Sequence, residues 1–500
     1  MSQQSTQMKN AHAKKIVVIG AGIGGLAAAI RLAAAGMDVV LIDHAPGPGG
    51  KMRTVPSAAG PVDAGPTVLT MRRVFDDIFT CAGLRLDDYV KLIPQPILAR
   101  HWWLDGSRLD LHTDPDASAA AIAAFAGTKA EAEFIRFDRL AARLFAAFDA
   151  PMIKASRPRT AMIAWNALRS PRIWPALLPG RSLARQLATG FSDPRLRQLF
   201  GRYATYVGGA PDLSPAVLAL IWQAEAQGVW AVQGGMYRLA LALADVAARQ
   251  GVDLRYGLAV RKIERQGAQV SGVVLSDGKT LKCDAVVFNG DPAALLAGLL
   301  GNGPQTALLP SVAHPRSLSA WVWAFAAKPS GVDLIHHNVF FAGDPVQEFG
   351  PIAKGLMPQD PTLYICAQDR ATGQPPDLER FEIIMNAPPK STLAAREIDQ
   401  CRAKTFPHLA RFGLTFDQAP PDAALTTPSG LATLFPGSQG AIYGRSPHGS
   451  LASFQRPTAR TGLAGLYLAG GGAHPGAGVP MAALSGRHAA EAILKDLALI

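Results

Sequence analysis

The sequence has little charge for its length, and this already limits what the protein can be. Asp, Glu, Lys and Arg together make up 17% of its 500 residues, whereas 49% are hydrophobic. A chain of this composition is not expected to be disordered, and its length exceeds what one hydrophobic core usually serves. We therefore expect a well-packed globular protein of two domains.

Cysteine is equally scarce. The four cysteines are far apart, and no two of them form a Cys-x-x-Cys pair. This spacing argues against a disulfide framework or a zinc site, so we expect reduced thiols and no bound metal. The formal net charge is +11, but the sequence carries no RNA-binding motif, and we expect no nucleic-acid partner.

Charge is absent from residues 462–486, which contain no Lys, Arg, Asp or Glu and could span a membrane by length alone. Eight glycines and two prolines in this segment instead predict a strand, a glycine loop and the start of a helix. The polar residues 1–13 lack the apolar core of a secretory signal. We therefore expect a cytoplasmic protein without a transmembrane helix.

The most informative motif is near the N-terminus, where an apolar strand leads into Gly20-Ala-Gly-Ile-Gly-Gly25. Gly20 permits a tight turn, Gly22 lets the backbone approach a pyrophosphate, and Gly25 lets the next helix pack close to the sheet. The N-terminus of that helix offers unpaired N–H groups to phosphates. Asp43 ends the next predicted strand, where an acid can accept hydrogen bonds from a ribose. The sequence therefore predicts a dinucleotide-binding βαβ unit.

Three later segments favour FAD over NAD as the dinucleotide. A glycine turn at Gly50 is followed by Lys51 and Arg53, whose cations suit phosphates or an anionic flavin. Gly65 has no side chain and lets a second turn approach a flat ring. A glycine loop at residues 470–478 precedes a helix, whose N-terminus can face an anion or a carbonyl group. We therefore predict FAD as the cofactor.

Nucleotide-binding patterns occur in three separated parts of the chain. We predict that residues 14–100, 231–300 and 456–500 form one Rossmann-like FAD-binding domain. Helical patterns and loops rich in proline and arginine occupy much of the rest. We predict that residues 101–230 and 301–455 form an inserted mixed α/β domain that faces the substrate and a membrane. The predicted fold class is α/β, and both ends of the chain can line one cofactor.

Two groups of motifs carry a family resemblance. Gly20-x-Gly-x-x-Gly25, Asp43 and Gly49-Gly50-Lys51 resemble the two-part FAD signature of the flavoprotein amine oxidase and carotenoid desaturase superfamily. His474-Pro-Gly-Ala-Gly478 is similar to the ending of bacterial-type phytoene desaturases. Longer stretches resemble the branch of these desaturases that acts on hydroxylated carotenoids in purple bacteria, and they are residues 61–70, 199–209 and 234–236.

The resemblance implies contacts with five groups of the cofactor. It assigns the diphosphate to Gly22, Ile23 and Gly24, the ribose to Asp43, the flavin side to Lys51, Arg53, Gly65 and Pro66, the adenine to the backbone of Val260, and the flavin ring to Gly472, Gly478 and Val479. Two positions depart from the family pattern. Ala473 replaces a threonine expected before His-Pro, and residues 470–478 lack an acid that some relatives outside the desaturases have there.

The resemblance also implies a reaction, the removal of hydrogen from C-3 and C-4 of an acyclic carotenoid with a hydroxy or methoxy group at C-1. A carbon beside a polyene releases a hydride readily because the positive charge is delocalised. We therefore expect hydride transfer to flavin N5 followed by proton loss, with the protein supplying orientation and a dry site. His474 and Arg202 are catalytic candidates by residue type, although His474 could instead form a structural hydrogen bond. Tyr203 and Tyr206 are expected to line the polyene channel or pack against it rather than to move protons.

A water-insoluble carotenoid has to be collected from a bilayer. Residues 151–190 contain seven Lys or Arg residues and no acid, interspersed with Trp, Leu, Ile and Met. This mixture suits the interface of an anionic membrane, although a solvated helical surface has a similar composition. We expect peripheral contact with the inner or intracytoplasmic membrane.

Three other functions stay open at this point. The chain could desaturate phytoene or another carotenoid, oxidise an amine or a different isoprenoid, or escort prenylated proteins without flavin chemistry. Intact Gly22, Gly25 and Asp43 argue against the escort. Oxygen and a quinone are both compatible with the sequence as the electron acceptor that reoxidises the flavin.

Overall fold

The computed structural model describes residues 13–390 and 396–498, so the polar N-terminal tail lies almost entirely outside the described residues. The strands, in chain order, are β1 (Lys15–Ile19), β2 (Asp38–Ile42), β3 (Thr54–Val55), β4 (Val62–Asp63), β5 (Leu92–Pro94), β6 (Ile97–Trp102), β7 (Arg108–His112), β8 (Trp230–Val232), β9 (Asp253–Arg255), β10 (Val260–Gln266), β11 (Gln269–Leu275), β12 (Thr280–Lys282), β13 (Ala285–Phe288), β14 (Ser319–Ala327), β15 (Pro329–Ser330), β16 (His337–Phe340), β17 (Leu363–Ala367), β18 (Glu379–Ala387), β19 (Thr415–Phe416), β20 (Leu425–Thr426) and β21 (Leu466–Leu468). The helices are α1 (Ile23–Ala34), α2 (Arg73–Cys81), α3 (Pro115–Ala126), α4 (Thr128–Phe148), α5 (Thr160–Leu168), α6 (Trp174–Leu177), α7 (Leu183–Gly190), α8 (Pro194–Gly201), α9 (Ile221–Ala226), α10 (Tyr237–Arg249), α11 (Pro292–Leu296), α12 (Pro345–Ala353), α13 (Glu397–Arg411), α14 (Pro428–Leu434) and α15 (Val479–Asp496).

The first sheet is parallel and has the strand order β21-β13-β1-β2-β9. Val17 on β1 pairs with Val286 on one side and Val40 on the other. The strands come from residues 15–42, 253–288 and 466–468, so three separated parts of the chain build one sheet. This is the discontinuous, Rossmann-like arrangement that the sequence predicts.

Both faces of this sheet are buried, because successive strand residues alternate between two cores. Ile16 and Val18 belong to the core that α1, α10 and α15 form, whereas Val17 packs towards the small antiparallel sheet β10-β11-β12. The first and last helices cross closely, since a Cβ on Gly486 of α15 would lie 2.2 Å from the carbonyl oxygen of Gly24 on α1. The two ends of the chain therefore meet beside the glycine turn.

The second sheet has the strand order β20-β14-β18-β17-β16-β6-β7. Its neighbours are antiparallel except for the parallel pair β16 and β6. One face packs against α13 through residues such as Trp321 and Phe381. The opposite face presents Val322, Ile384 and Tyr364 to a cavity. The sequence predicts a domain boundary at residue 100. Strand β6 of the second sheet begins before that residue, and the limits of the two domains stay a prediction.

A helical layer made largely from α3, α4, α7, α8 and α9 closes the other side of this region. Aromatic contacts hold the layer together, since the Phe200 ring stacks on Phe191 at 5.1 Å and meets Trp222 edge-on at 5.7 Å. Across residues 13–390 and 396–498, no helix combines the length and apolar character needed to cross a membrane.

Candidate active site

A cavity of about 1890 Å³ lies between the two sheets and the helical layer. Its walls include the turn after β1, residues 42–54, the loop before α15 and the inner face of the second sheet. Small-molecule pockets usually have volumes of about 300–1,000 Å³. The cavity therefore has room for a dinucleotide and for a long apolar ligand beside it.

Asn289, which follows β13, explains why the first turn requires glycine. Its side-chain amide donates to the carbonyl oxygen of Gly20 over 3.1 Å. A Cβ on Gly24 would lie 2.7 Å from the Asn289 side-chain oxygen, and one on Gly25 would lie 2.0 Å from the Gly20 oxygen. Gly22 caps α1 without a side chain, which leaves the first N–H groups of the helix available to an anion. Asn289 was not predicted as a site residue, because its only signal in the sequence is that it follows a buried strand.

Asp43 connects this turn to the end of β2. Its buried carboxylate accepts the N–H groups of Ala21 at 2.6 Å and Ala45 at 2.8 Å. Burial raises the pKa of Asp43, but hydrogen bonds from His44 and from these two N–H groups outweigh it and lower the pKa below its ordinary value. The carboxylate is therefore ionised, and its remaining lone pairs suit ribose hydroxyl groups.

Lys51 and Arg53 extend the wall beyond the first helix. The Lys51 ammonium donates to the carbonyl oxygen of Ile442, and the Arg53 guanidinium donates to the hydroxyl of Thr426. Burial lowers the pKa of Lys51 to about 8, although the charge of Asp291 opposes the shift. An anion in the cavity would favour the charged form of Lys51.

Arg456 fixes the loop before α15, and Arg316 holds Asp291 in the cavity wall; neither arginine was predicted from the sequence. Arg456 is buried and donates to the carbonyl oxygens of Gly471 at 2.8 Å and Tyr443 at 2.9 Å. Arg316 forms a buried ion pair with Asp291. No sequence motif marks these residues, because their partners become neighbours only in the folded chain.

The turn at residues 63–67 is held from two directions. The Asp63 carboxylate accepts the N–H of Met236 at 2.6 Å, which joins the turn to the start of α10. The Thr67 hydroxyl lies 2.8 Å from the hydroxyl of Tyr364, which in turn lies 2.7 Å from Nδ1 of His337. A chain of hydrogen bonds therefore connects this turn to the inner face of the second sheet.

Comparison with known proteins gives this geometry a family. The family described as flavin containing amine oxidoreductase matches residues 23–494. The chain belongs to the flavin-containing amine oxidoreductase family. Hydroxyneurosporene desaturase of Cereibacter sphaeroides is 65% identical to it over 485 residues, which cover 97% of this chain and 98% of that protein. The protein of the same name from Rhodobacter capsulatus is 57% identical, with 96% and 98% covered.

These relatives confirm the predicted resemblance, so the chain is a flavin-containing oxidoreductase of the carotenoid desaturase branch. A solved structure of a putrescine oxidase superposes with a TM-score of 0.63 at 15% identity, covering 97% of this chain and 99% of that one. At this identity the likeness shows the fold alone, and it confirms the predicted α/β class.

The family also confirms the predicted FAD, and the residues of the site fit it. The fit rests on three features already described: a glycine turn that has no space for side chains, an ionised Asp43 beside that turn, and a half-buried Lys51 in the wall.

In this flavin-containing oxidoreductase, most of the predicted site residues share the cavity wall. They are Gly20, Gly22, Ile23, Gly24, Asp43, Gly50, Lys51, Arg53, Gly65, Pro66, Arg202, Val260, Gly472, Gly478 and Val479. Gly25 lies behind the wall, where it lets α1 pack against the turn.

His474 also lies behind the wall among the described residues. Its ring is buried, with Nε2 2.8 Å from the carbonyl oxygen of Ala155, and it stacks on the His488 ring at 5.7 Å. This arrangement favours the structural hydrogen bond over proton transfer. A catalytic role for His474 stays a prediction.

Proposed function

We propose that this oxidoreductase desaturates the C-3–C-4 bond of acyclic carotenoids that carry a hydroxy or methoxy group at C-1. The observation that carries the proposal is the 65% identity, over 97% of the chain, to hydroxyneurosporene desaturase of Cereibacter sphaeroides. Intact cofactor residues argue against a flavin-free escort, and a cavity of about 1890 Å³ is larger than FAD and a small amine need.

The residues at the cofactor end of the site bind and orient FAD. The first N–H groups of α1 and the cation of Lys51 suit the diphosphate, and Asp43 suits the ribose. When bound, the flavin supplies the two-electron acceptor that the desaturation needs. Val322 and Ile384 on the second sheet, with Leu220 on the helical side, give the polyene an apolar path that excludes water.

The chain also offers an acceptor for the proton that leaves the substrate. The Thr67 and Tyr364 hydroxyls both line the cavity and lead to Nδ1 of His337. Burial lowers the pKa of His337 well below its ordinary value, so its imidazole is neutral. A weak base is sufficient here, because a C–H bond beside a polyene cation is strongly acidic. We include this relay in the proposal.

Peripheral membrane contact is part of the proposed function. Five large apolar side chains of the basic segment 151–190 are exposed by between 39% and 63%, and they are Met162, Trp165, Leu168, Trp174 and Leu178. The Arg169 guanidinium stacks over the Trp165 ring at 5.2 Å. Cations interleaved with exposed tryptophan and leucine suit an anionic bilayer surface. We place the protein in the cytoplasm against such a membrane.

The same surface adjoins the cavity. The backbone N–H of Gly180 donates to the Ser450 hydroxyl over 3.1 Å, and Ser450 lines the cavity. Leu451 beside it is exposed. A carotenoid could therefore pass from a bilayer into the cavity without crossing water.

The test is turnover of 1-hydroxyneurosporene in liposomes by the FAD-loaded protein, followed by the red shift of the polyene spectrum. Oxygen and a quinone are supplied in separate reactions, because either could reoxidise the flavin. We expect one added double bond per product, confirmed by mass spectrometry. Conversion of phytoene or lycopene with no conversion of 1-hydroxyneurosporene would contradict the proposal.

Membrane contact is tested by sedimentation with phosphatidylglycerol and phosphatidylcholine vesicles. Replacing both Trp165 and Trp174 by Ala should release the protein from the anionic vesicles. The control is Leu241→Ala, which removes an exposed leucine from α10 instead. Equal binding of the double variant and the control would contradict the assigned surface.

A further inference from the structure

Three polar side chains stand together in the wall of the cavity: Arg202, Tyr206 and Glu225. The Arg202 guanidinium stacks over the Tyr206 ring at 4.9 Å. The Tyr206 hydroxyl donates to Oε1 of Glu225 at 2.5 Å. Tyr203 donates to Oε2 of the same carboxylate at 2.6 Å, but it does not line the cavity among the described residues. The two tyrosines therefore orient one buried carboxylate behind the arginine.

The arginine has donor capacity left over. Its Nε is buried and has no hydrogen-bond partner in the described part of the chain. Burial by itself lowers the pKa of Arg202, but Tyr206 and Glu225 outweigh this and raise it, so the guanidinium is charged. A guanidinium donates hydrogen bonds and accepts none, and leaving such donors unsatisfied costs free energy. Arg202 lines the cavity, so its guanidinium can donate to an oxygen of a bound ligand, and the charged group cannot itself take up the proton that the substrate loses.

We propose that Arg202, oriented by Tyr206 and Glu225, binds the oxygen on C-1 of the carotenoid and thereby selects substrates that carry this oxygen. This inference rests on the proposed function, which places an oxygen at C-1 and the reaction at C-3 and C-4. It makes Arg202 a specificity-determining residue and leaves proton removal to other groups.

The chemistry of the substrate limits where such a group can lie. The oxygen on C-1 is three bonds from C-3 and four bonds from C-4, so it lies within about 5 Å of both when each bond is about 1.5 Å. The anchor must therefore lie close to the flavin, within the width of a few side chains. An anchor farther along the cavity would place a different part of the polyene at the reacting position.

The segment that carries Arg202 and Tyr206 packs beside the loop predicted to contact the flavin. A Cβ on Gly208, which follows this segment, would lie 2.5 Å from the Tyr443 ring, and Arg456 binds the carbonyl oxygens of both Tyr443 and Gly471. After burial and the charge of His336, the charge of Arg202 is a further cause of the lowered pKa of His337. The His337 ring is hydrogen-bonded to Tyr364, which is hydrogen-bonded to Thr67 on the turn predicted to contact the flavin. The packing of Gly208 and this electrostatic interaction both favour a position of Arg202 on the flavin side of the cavity.

A second buried carboxyl group, Glu348, also lines the cavity and is the main competitor. It already accepts a hydrogen bond of 2.8 Å from the side chain of Asn386. Asn386 lies two residues beyond Ile384, which pairs with Tyr364, so it is roughly 7 Å farther along the sheet from Tyr364. Glu348 therefore suits a more distant part of the polyene.

The test compares kcat/KM for 1-hydroxyneurosporene with kcat/KM for neurosporene, which has the same polyene and no C-1 oxygen. We expect the wild-type protein to prefer the hydroxylated substrate and Arg202→Met to lower this preference by about 10- to 100-fold, the value of one charged hydrogen bond. Arg202→Lys should restore part of it. Tyr206→Phe should lower the preference less than Arg202→Met does.

Arg249→Met is the matched control, since it removes an exposed arginine of α10 that stacks over the Tyr89 ring, outside the cavity wall among the described residues. Its preference should stay within about threefold of wild type. If Arg202→Met lowers kcat/KM equally for both substrates, the residue is structural and the anchor is refuted, while the proposed function stands. If Glu348→Gln abolishes the preference instead, the anchor is also refuted. If wild-type protein converts neither substrate but another carotenoid, the proposed function itself fails.

Discussion

Replacing Gly486 by alanine tests whether the crossing of the first and last helices positions the cofactor site. Gly486 lies on α15, outside the cavity wall among the described residues. A Cβ there would lie 2.2 Å from the carbonyl oxygen of Gly24 and 3.0 Å from Cβ of Ala27. The methyl group therefore meets the backbone of α1 and cannot be accommodated by a side-chain rotation.

Two effects of opposite sign decide the outcome. Alanine improves helix propensity over glycine by about 1 kcal/mol. Overpacking a core costs about 1–3 kcal/mol of stability. A contact between the new methyl group on α15 and the backbone of α1 belongs at the upper end of that range. The helices have to separate by roughly 1 Å to restore van der Waals contact. We expect a net loss of about 2 kcal/mol in the free energy of unfolding, because the steric term exceeds the propensity term.

The same separation moves Gly24, which lines the cavity, away from the loop before α15. We expect the Kd for FAD to rise at least tenfold, measured by quenching of flavin fluorescence, and the apoprotein to melt at a lower temperature. Gly190→Ala is the control, since a Cβ at that position would meet no atom within 4 Å. A Gly486→Ala protein with the Kd and melting temperature of wild type would refute the reasoning.

Three further predictions concern titratable groups. Asp43→Ala removes the acceptor of two backbone N–H groups and of the ribose, so equilibrium dialysis should show FAD binding weakened by about 10- to 100-fold, and an unchanged Kd would contradict the assignment. The pKa of Lys51 is about 8, and bound phosphates favour its charged form, so FAD binding should take up a proton above pH 8. The affinity for FAD should then weaken by up to about tenfold per pH unit. An affinity of the wild-type protein that does not change with pH, or the same pH dependence in Lys51→Met, would contradict this prediction. Burial raises the pKa of Glu382 well above its ordinary value, so its carboxyl group releases a proton when the protein unfolds above pH 4.5. This group therefore makes the wild-type protein less stable as the pH rises. Glu382→Gln removes the group and with it this loss of stability. The difference in melting temperature between the two apoproteins should therefore grow with pH, and a constant difference would argue against a buried neutral carboxyl.

The dinucleotide unit could be predicted because its rules are local. Strand, turn, helix and strand follow one another within residues 15–42, and glycine spacing reports the close approaches at that turn. The return of strand patterns near residues 253–288 and 466–468 was enough to assemble one sheet from three parts. Hydrophobic runs and turn residues carry this information without any knowledge of distant contacts.

The polar network of the site could not be predicted, because its partners are remote in sequence. Thr67 and Tyr364 are 297 positions apart, yet their hydroxyls lie 2.8 Å from each other. Arg456 binds the loop before α15, and Asn289 binds the turn after β1. No sequence motif contains either residue together with the turn that it binds. His474 shows the converse, since its sequence neighbours place it at the flavin loop while the fold directs its ring towards Ala155.

The sequence by itself determined the cofactor class, the α/β fold and the residues that have to be glycine, because these depend on backbone conformation and on short-range spacing. Tertiary structure decided which polar side chains share the cavity, which carboxyl groups are buried, and that Arg202, Tyr206 and Glu225 stand together in the cavity wall. These properties depend on burial and on contacts between residues that the chain brings together only when it folds.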